Sequence, residues 1–276
     1  QIQGRTDALS TTVANPTDVF KQQAAHTLDL IELYTLNTFT EVTETKVGSE
    51  NYGQVRLFSI DLDNGAAGQA YQPSKNLYAG DVYIDNTPAI NIADKYLETG
   101  KDSYLTLIHE VGHAVGLDHP FGGTFTETGS PGKSFQDTVM SYNLYSTNDK
   151  INYWGNEDGG KKAVFPQSFM IDDIAVLQYM YGVNEMTNSS DTTYDMSNLS
   201  SGSVSNGLIY QSIWDAGGVD TISWDNQTSI ANINLNPGEH SFFGEITSIS
   251  DTDFENKDNA LGVGDGILGI AYGSLI

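Results

Sequence analysis

The chain has 276 residues, and its 36 acidic and 12 basic residues give a formal net charge of -24. A surface this negative repels nucleic-acid phosphates and anionic lipid, so we expect neither a nucleic-acid nor a membrane partner. The absence of cysteine excludes disulfides and thiolate metal sites. The acidity suits solubility and the collection of Ca²⁺ by carboxylates equally well.

The N-terminal half alternates between helical and strand patterns. Apolar residues at three- and four-residue steps predict amphipathic helices. Period-two alternation between Gly, Pro and Asn residues predicts short strands. No basic start with an apolar run marks a signal peptide, and no stretch reaches the ~20 apolar residues of a membrane span. In chain order the predictions are a helix over 18–36, strands at 54–62, 67–73 and 80–86, a helix over 102–115 and a loop over 121–137.

A third helix is predicted over residues 166–184, with Pro166 near its first turn and Gly182 just past its end. From about residue 186 onward Ser, Thr, Asn, Asp and Gly dominate, and no helical period survives. We therefore predict two domains, residues 1–184 and a β-rich segment over residues 185–276.

The second helix carries the string HEVGHAVGLDHP, residues 109–120. His109 and His113 are four residues apart, so a helix places both imidazoles on one face. Gly116 can adopt a positive φ, end the helix and turn the chain so that His119 approaches the same ion. Three neutral imidazoles with an open fourth position suit a catalytic Zn²⁺. Glu110, beside that open position, can take a proton from water activated by the metal.

The extended HExxHxxGxxH pattern is far more specific than HExxH alone, because the roles of its five fixed residues interlock. Gly112 stands in mid-helix, where glycine costs roughly 1 kcal/mol relative to alanine. This position predicts close packing of another segment against the helix. His26 and His240 have no ligand-spaced partner, and we assign them no function.

These residues resemble the metzincin metallopeptidases, in which a tight turn with a methionine follows the zinc motif. Met140 in FQDTVMSYN lies 21 residues after His119, and the resemblance makes it a hydrophobic floor beneath the ligands. Tyr142 would be a fifth, switchable zinc ligand that hydrogen-bonds the developing oxyanion. Within this clan Pro120, IDDIAVLQYMYGVN and SIWDAGGVDTISW are similar to the serralysins.

The resemblance implies an α+β fold: a metzincin catalytic domain with a twisted sheet, long helices and zinc in the cleft, followed by the start of a serralysin-type β-roll or sandwich domain. It implies a secreted, extracellular bacterial zinc endopeptidase of broad specificity. The partners would be extended protein or peptide substrates and a proteinaceous protease inhibitor, and the protein would be a monomer. Ala70 and Tyr71 in GQAYQP would lie on the strand edge that binds the peptide by strand addition.

The resemblance also implies at least one structural Ca²⁺ in the C-terminal segment. Without the resemblance, DAGGVD (215–220) is better interpreted as an ordinary Asp-Gly turn. Carboxylates and carbonyls gathered around glycines suit the oxygen preference of Ca²⁺. The implied ligands are Asp215, Gly217, Asp220, Thr192 and the carbonyls of Asn188 and Ser190, with Gly218 in a partial second site.

The sequence departs from a full serralysin in three places. The stretch before the zinc helix and the loop between His119 and Met140 are short, and the chain ends at AYGSLI where the family continues into tandem calcium-binding repeats. We expect a processed or truncated form, or a relative with its repeats elsewhere. One rival function is an idle metal-binding scaffold, an adhesin or calcium module, which Glu110 disfavours. The other is an astacin- or matrixin-like protease, which Pro120 and the β-rich tail disfavour.

Overall fold

The architecture of the chain is given by a computed structural model. It describes residues 13–14, 16–42, 53–62, 65–86, 97–120, 133–142, 151–157, 160–163, 165–196, 209–225, 230–243, 246–248, 261–263 and 266–276. Residues 121–132 of the predicted 121–137 loop lie outside these ranges.

Two helices begin and end close to their predicted bounds. The first, α1 (Asp18–Tyr34), starts where the Thr17 hydroxyl accepts a hydrogen bond from the Phe20 amide at 3.1 Å, a typical N-cap. Its apolar stripe is buried, as the periodicity predicts. The second, α2 (Asp102–Ala114), carries the histidines and buries most of its residues. Both helix predictions are confirmed.

A four-stranded sheet holds the three strands predicted in the N-terminal half. Its strand order is β1-β2-β4-β3, with β2 and β4 parallel and the other pairs antiparallel. The strand β3 therefore lies at one end of the described sheet, and it packs against α2. The bounds are β1 Val13–Ala14, β2 Arg56–Ile60, β3 Gly68–Ala70 and β4 Asp81–Asp85.

Beyond residue 184 the described elements are strands, as the composition predicts, and two strands before it, at residues 151–157 and 160–163, were not predicted. They form sheets of order β10-β11-β14-β8 and β12-β13-β5-β6 and the pair β7-β9. The described bounds are β5 Ile151–Glu157, β6 Gly160–Ala163, β7 Thr193–Asp195, β8 Ile209–Ile213, β9 Thr221–Ser223, β10 Ala231–Asn232, β11 His240–Phe243, β12 Ile246–Ser248, β13 Leu261–Val263 and β14 Gly266–Ile270.

The third helix, α3 (Ile171–Tyr181), begins later than predicted, and the proposed start at Pro166 is wrong. Residues before it are held beside β8: the Gln167 amide donates to the Tyr210 carbonyl at 2.7 Å. The Ser168 hydroxyl accepts from the Ser212 amide at 2.8 Å. Because these bonds fix an extended backbone, the helix starts only after them. Gly182 follows the helix end with a φ of 80°, as predicted.

One large hydrophobic core joins the three helices to β4, and it includes Tyr210, Trp214, Ile267 and Ala271 from beyond residue 184. A smaller cluster lies among the C-terminal strands. Helices packed beside open sheets agree with the predicted mixed fold at the level of class. The division at residue 184 stays a prediction. None of the described helices combines the length and apolar character that crossing a bilayer requires.

Candidate metal centre

The three predicted ligands converge at the end of α2. His109 and His113 lie on one face of the helix, and Gly116, with a φ of 104°, ends it. The chain turns back at this glycine and brings His119 over the other two rings. The Nε2 atom of His119 lies 3.1 Å from that of His109 and 3.0 Å from that of His113.

The hydrogen bonds of two rings fix where their lone pairs point. His109 Nδ1 lies 2.8 Å from the Val139 carbonyl oxygen, and His113 Nδ1 lies 2.9 Å from the Leu117 carbonyl oxygen. A carbonyl only accepts, so both Nδ1 atoms carry protons and both Nε2 atoms present lone pairs. His119 Nε2 lies beside both of these lone pairs, and a cation held between the three nitrogen atoms would satisfy them.

A tetrahedral Zn²⁺ fits this donor set. Ligands at about 2.0–2.1 Å from zinc are separated from each other by about 3.3 Å, within a few tenths of the separations found here. Nδ1–H groups held by backbone carbonyls are the usual outer contacts of zinc-bound histidines, because they fix the tautomer and the ring orientation. His109, His113 and His119 form the metal-competent group of the described residues.

Burial keeps these imidazoles in the neutral state that binds metal. It lowers the pKa of His109 to about 3, with neighbouring His113 and His119 adding to the effect. Burial likewise lowers the pKa of His113 and of His119. At neutral pH the three Nε2 atoms are therefore available as ligands without loss of a proton.

Glu110 lies against the backbone of the sheet-edge strand. A Cβ placed on Gly68 in β3 would lie 2.6 Å from Glu110 Cγ and 3.0 Å from its Oε1. The side chain can occupy this space because residue 68 is a glycine. Burial raises the pKa of Glu110 to about 8, and a cation held by the adjacent imidazoles would lower it again.

Met140 lies beneath α2. It is 1% exposed, and its sulfur lies 2.8 Å from the position of a Cβ on Gly112. The mid-helix glycine is therefore in close contact with another segment, as predicted. Residues 133–142, which we call the strap, carry both Met140 and Tyr142.

Tyr142 lies at the exposed side of the histidine cluster. Its hydroxyl is 2.8 Å from His119 Nε2, and its ring stacks 5.4 Å from that of His109. Burial raises the pKa of the Tyr142 phenol, and the charge of Glu110 adds to this. A phenol that stays protonated can donate a hydrogen bond to an oxyanion.

Asp173 is a site residue that the sequence reasoning missed. It is buried, and its carboxylate accepts from the Val139 amide at 2.8 Å, the Met170 amide at 2.9 Å and the Thr138 hydroxyl at 2.6 Å. Because the Val139 carbonyl accepts from His109, Asp173 fixes the backbone that orients a ligand. Burial raises the pKa of Asp173 to about 7 despite these three donors.

Two further contacts brace the strap. Lys133 forms an ion pair with Asp172 at 2.6 Å. His240, to which the sequence assigned no function, lies with Nε2 2.8 Å from the Gln136 carbonyl oxygen and links β11 to the strap. Neither contact has a local sequence signal, because the partners are far apart in the chain.

The predicted substrate edge lies beside the metal centre. Ala70 ends β3, and Tyr71 continues the pairing by donating from its amide to the Asp81 carbonyl at 2.9 Å. The Gln72 side chain donates to the Leu117 carbonyl at 3.2 Å, the same oxygen that accepts from His113. The segment after the edge strand therefore bonds the same carbonyl that orients the His113 ring.

The two predicted calcium-binding segments also meet. The Thr192 amide donates to Asp220 Oδ1 at 2.7 Å, and the Gly217 amide donates to Asp215 Oδ1 at 2.8 Å. Gly217 and Gly218 have φ values of 147° and 138°, which favour glycine. A Cβ on Gly218 would lie 2.7 Å from the Ser190 carbonyl carbon, so the segments touch through that glycine.

One oxygen in this cluster lacks a protein partner. Asp220 Oδ2 is buried, and among the described residues it accepts no hydrogen bond. The Ser190 carbonyl accepts from the Thr192 hydroxyl at 2.8 Å, and Asn188 adopts a φ of 51° and donates to the Trp214 carbonyl. The structure thus gathers the predicted residues into one oxygen-rich turn.

Comparison with known proteins agrees with this geometry. Residues 38–190 match the family model Peptidase_M43, described as pregnancy-associated plasma protein-A. The chain is 33% identical to serralysin A of Dickeya chrysanthemi over 236 residues, which cover 82% of this chain and 47% of that protein. It is 30% identical to metalloprotease AprA of Pseudomonas entomophila (strain L48) over 241 residues, 80% of this chain and 48% of the relative.

The chain thus spans about half the length of these relatives. The Peptidase_M43 match covers more than half of the chain and includes all three histidines, Glu110 and Tyr142. The chain therefore belongs to the Peptidase_M43 family, and it is similar to serralysins over about four fifths of its length.

Proposed function

We propose that this chain is the catalytic part of a zinc-dependent endopeptidase. The observation that carries the proposal is the convergence of three imidazoles, with His119 Nε2 3.1 Å from His109 Nε2 and 3.0 Å from His113 Nε2. An acidic side chain and a phenol flank this cluster, which is the set of groups that peptide hydrolysis by an activated water requires. A scaffold that only stored a metal would have no use for them.

The proposed mechanism assigns a task to each side chain. His109, His113 and His119 would hold one zinc ion, which supplies a Lewis acid for the attacking water and the scissile carbonyl. Glu110 accepts a proton from the attacking water and passes it to the leaving amine. Tyr142 moves away from His119 and donates a hydrogen bond to the oxyanion as the carbonyl carbon becomes tetrahedral, and the phenol keeps its proton.

Substrate would bind along β3 as an added strand. Main-chain bonds to β3 (Gly68–Ala70) would place the peptide beside Glu110, whose carboxylate lies over Gly68. Binding through the main chain gives weak side-chain selection, hence broad specificity. A proteinaceous inhibitor would occupy the same edge. We also propose that the protein acts as a monomer outside a bacterial cell, as its resemblance to serralysins implies.

We propose one Ca²⁺ in the turn formed by residues 188–192 and 215–220. The buried Asp220 Oδ2 without a hydrogen-bond partner among the described residues supports it, because an oxygen in that state is costly unless a cation or water satisfies it. Asp215, Asp220, Thr192 and the carbonyls of Asn188, Ser190 and Gly217 would hold the ion, with Gly218 in a partial second site. The strands after residue 192 would then be the start of a serralysin-type β-roll.

The direct test is casein hydrolysis by the purified chain. We expect hydrolysis with one equivalent of zinc, its loss with a zinc chelator and its return when zinc is restored. Tight binding of one zinc without any hydrolysis would instead favour the metal-binding scaffold.

A further inference from the structure

Helix α3 presents an apolar stripe to solvent. Val176, Tyr179 and Met180 follow the i, i+3, i+4 spacing that puts side chains on one helix face, and Val183 lies two residues past the end of the helix. Their exposed fractions are 44%, 91%, 38% and 37%. The opposite face of α3 is buried in the core, so the exposed stripe contributes nothing to that packing. In a chain of net charge -24, these four neutral side chains form a distinct surface.

The stripe continues onto the end of α1. Residue 35 forms an isolated bridge with residue 183, and Leu36, which is 68% exposed, lies with Cδ1 2.9 Å from the position of a Cβ on Gly182. The surface therefore consists of five neighbouring apolar side chains. Contiguous exposed apolar surface of this kind marks a site of interaction.

Met180, in the middle of this stripe, lies beside the turn that follows the zinc-binding helix. Met180 Sδ lies 3.5 Å from the position of a Cβ on Gly116, and Pro73 Cγ lies 3.7 Å from the same point. Gly116 stands between two zinc-binding histidines, and Pro73 lies three residues after the end of β3. A peptide that pairs with β3 and leaves past Pro73 would therefore reach Met180 next.

We propose that the apolar stripe extends the substrate cleft and binds apolar side chains of the substrate some residues away from the scissile bond. This inference rests on the proposed endopeptidase function. The three residues from Ala70 to Pro73 span about 10 Å of extended chain at about 3.3 Å each. The helical part of the stripe, from Val176 to Met180, spans about 6 Å at 1.5 Å per residue. The stripe would thus contact substrate positions roughly three to five residues beyond those that face β3.

The substrate is the occupant that the observations favour over a second copy of the chain. Met180, Gly116 and Pro73 are neighbours, so a peptide that leaves β3 past Pro73 reaches the stripe. A stable dimer buries about 800 Å² per partner, and five partly exposed side chains on and beside one helix fall short of that area.

The test compares three peptides with a common central sequence. The first covers only the residues that face β3, the second adds four Gly and Ser residues at one end, and the third adds four Leu and Phe residues there. A parallel set carries the additions at the other end. The enzyme is the zinc-loaded 276-residue chain as wild type, as Tyr179→Ser and as the control Ile230→Ser, which changes an apolar residue 66% exposed outside the stripe.

We expect a gain at one end of the peptide only. At that end the Leu and Phe extension should raise kcat/KM about tenfold over the Gly and Ser extension, because burying one large apolar side chain has an effect of this size. Tyr179→Ser should reduce this ratio to about twofold or less, and Ile230→Ser should leave it unchanged.

No gain from apolar extension at either end would overturn the inference, as would an unchanged ratio in Tyr179→Ser. A dimer in sedimentation that Tyr179→Ser disrupts would overturn it too, by assigning the stripe to a second copy. Failure of the endopeptidase proposal looks different, because the wild type would then cleave none of the peptides.

Discussion

Met140 places its sulfur 2.8 Å from the point where a Cβ on Gly112 would lie. Because Gly112 has no Cβ, the zinc-binding helix and the strap can pack closely at this point. The phenyl edge of Phe169 and the Leu117 side chain lie 3.5 Å and 3.3 Å from the same point, so little room remains for the sulfur to move aside.

This contact predicts that Gly112→Ala destabilises the chain. At an open helix position the same change would stabilise by about 1 kcal/mol, whereas overpacking a tight core costs about 1–3 kcal/mol. In a Met140→Ala background the clash is absent, and Gly112→Ala should then be neutral or stabilising. Urea unfolding of the four variants gives the coupling energy. Additive effects would show that Gly112 and Met140 do not constrain each other.

Tyr142→Phe should keep the fold and the metal but lower kcat. The lost hydrogen bond forms mainly in the transition state, so kcat should fall about 10–100-fold, the equivalent of about 1.5–3 kcal/mol, while KM changes little. Steady-state kinetics on a short peptide and zinc analysis measure both quantities. A normal kcat would reduce Tyr142 to a packing residue.

Asp173 should make stability depend on pH. Its folded pKa of about 7 lies above the unfolded value, so between about pH 4 and pH 7 the unfolded chain releases a proton that the folded chain keeps. Stability from this group is therefore greatest at low pH and falls as pH rises, by about 1.4 kcal/mol per pH unit. Urea unfolding at pH 5 and pH 7 should show a loss of stability about 2 kcal/mol smaller in Asp173→Asn than in the wild type. Equal losses in the two proteins would contradict this assignment.

Calcium should stabilise the C-terminal turn without affecting the zinc centre. In zinc-replete buffer, a calcium-selective chelator should lower the Tm by roughly 5–10 °C, because saturation at 100 times Kd contributes about 2.7 kcal/mol. Asp220→Asn should abolish the calcium response, and the exposed control Asp225→Asn should retain it. A Tm indifferent to calcium in the wild type would remove the proposed calcium site and leave the zinc proposal intact.

The spacing of residues along the sequence was enough to predict those features that depend only on neighbouring residues. The four-residue spacing of His109 and His113 and the helix-ending role of Gly116 follow from helix geometry alone. The short strands around Ala70 likewise follow from alternation and from the turn residues that flank them.

Features that depend on distant partners could not be predicted in this way. The late start of α3 results from the pairing of Gln167 and Ser168 with β8, some 43 residues along the chain. Asp173 was predicted only as part of a helix, because nothing local indicates that it binds the Val139 amide. The contact of His240 with the strap depends on a partner 104 residues away.

The central claim is that Glu110 transfers the proton in a zinc-dependent hydrolysis, and one measurement tests it most directly. Zinc content and peptide hydrolysis are compared between the wild type and Glu110→Gln, which keeps the size of the side chain but cannot accept a proton. The account predicts one bound zinc in both proteins and a loss of at least about 100-fold in kcat in the variant. A variant that binds one zinc and hydrolyses peptide at the wild-type rate would contradict it.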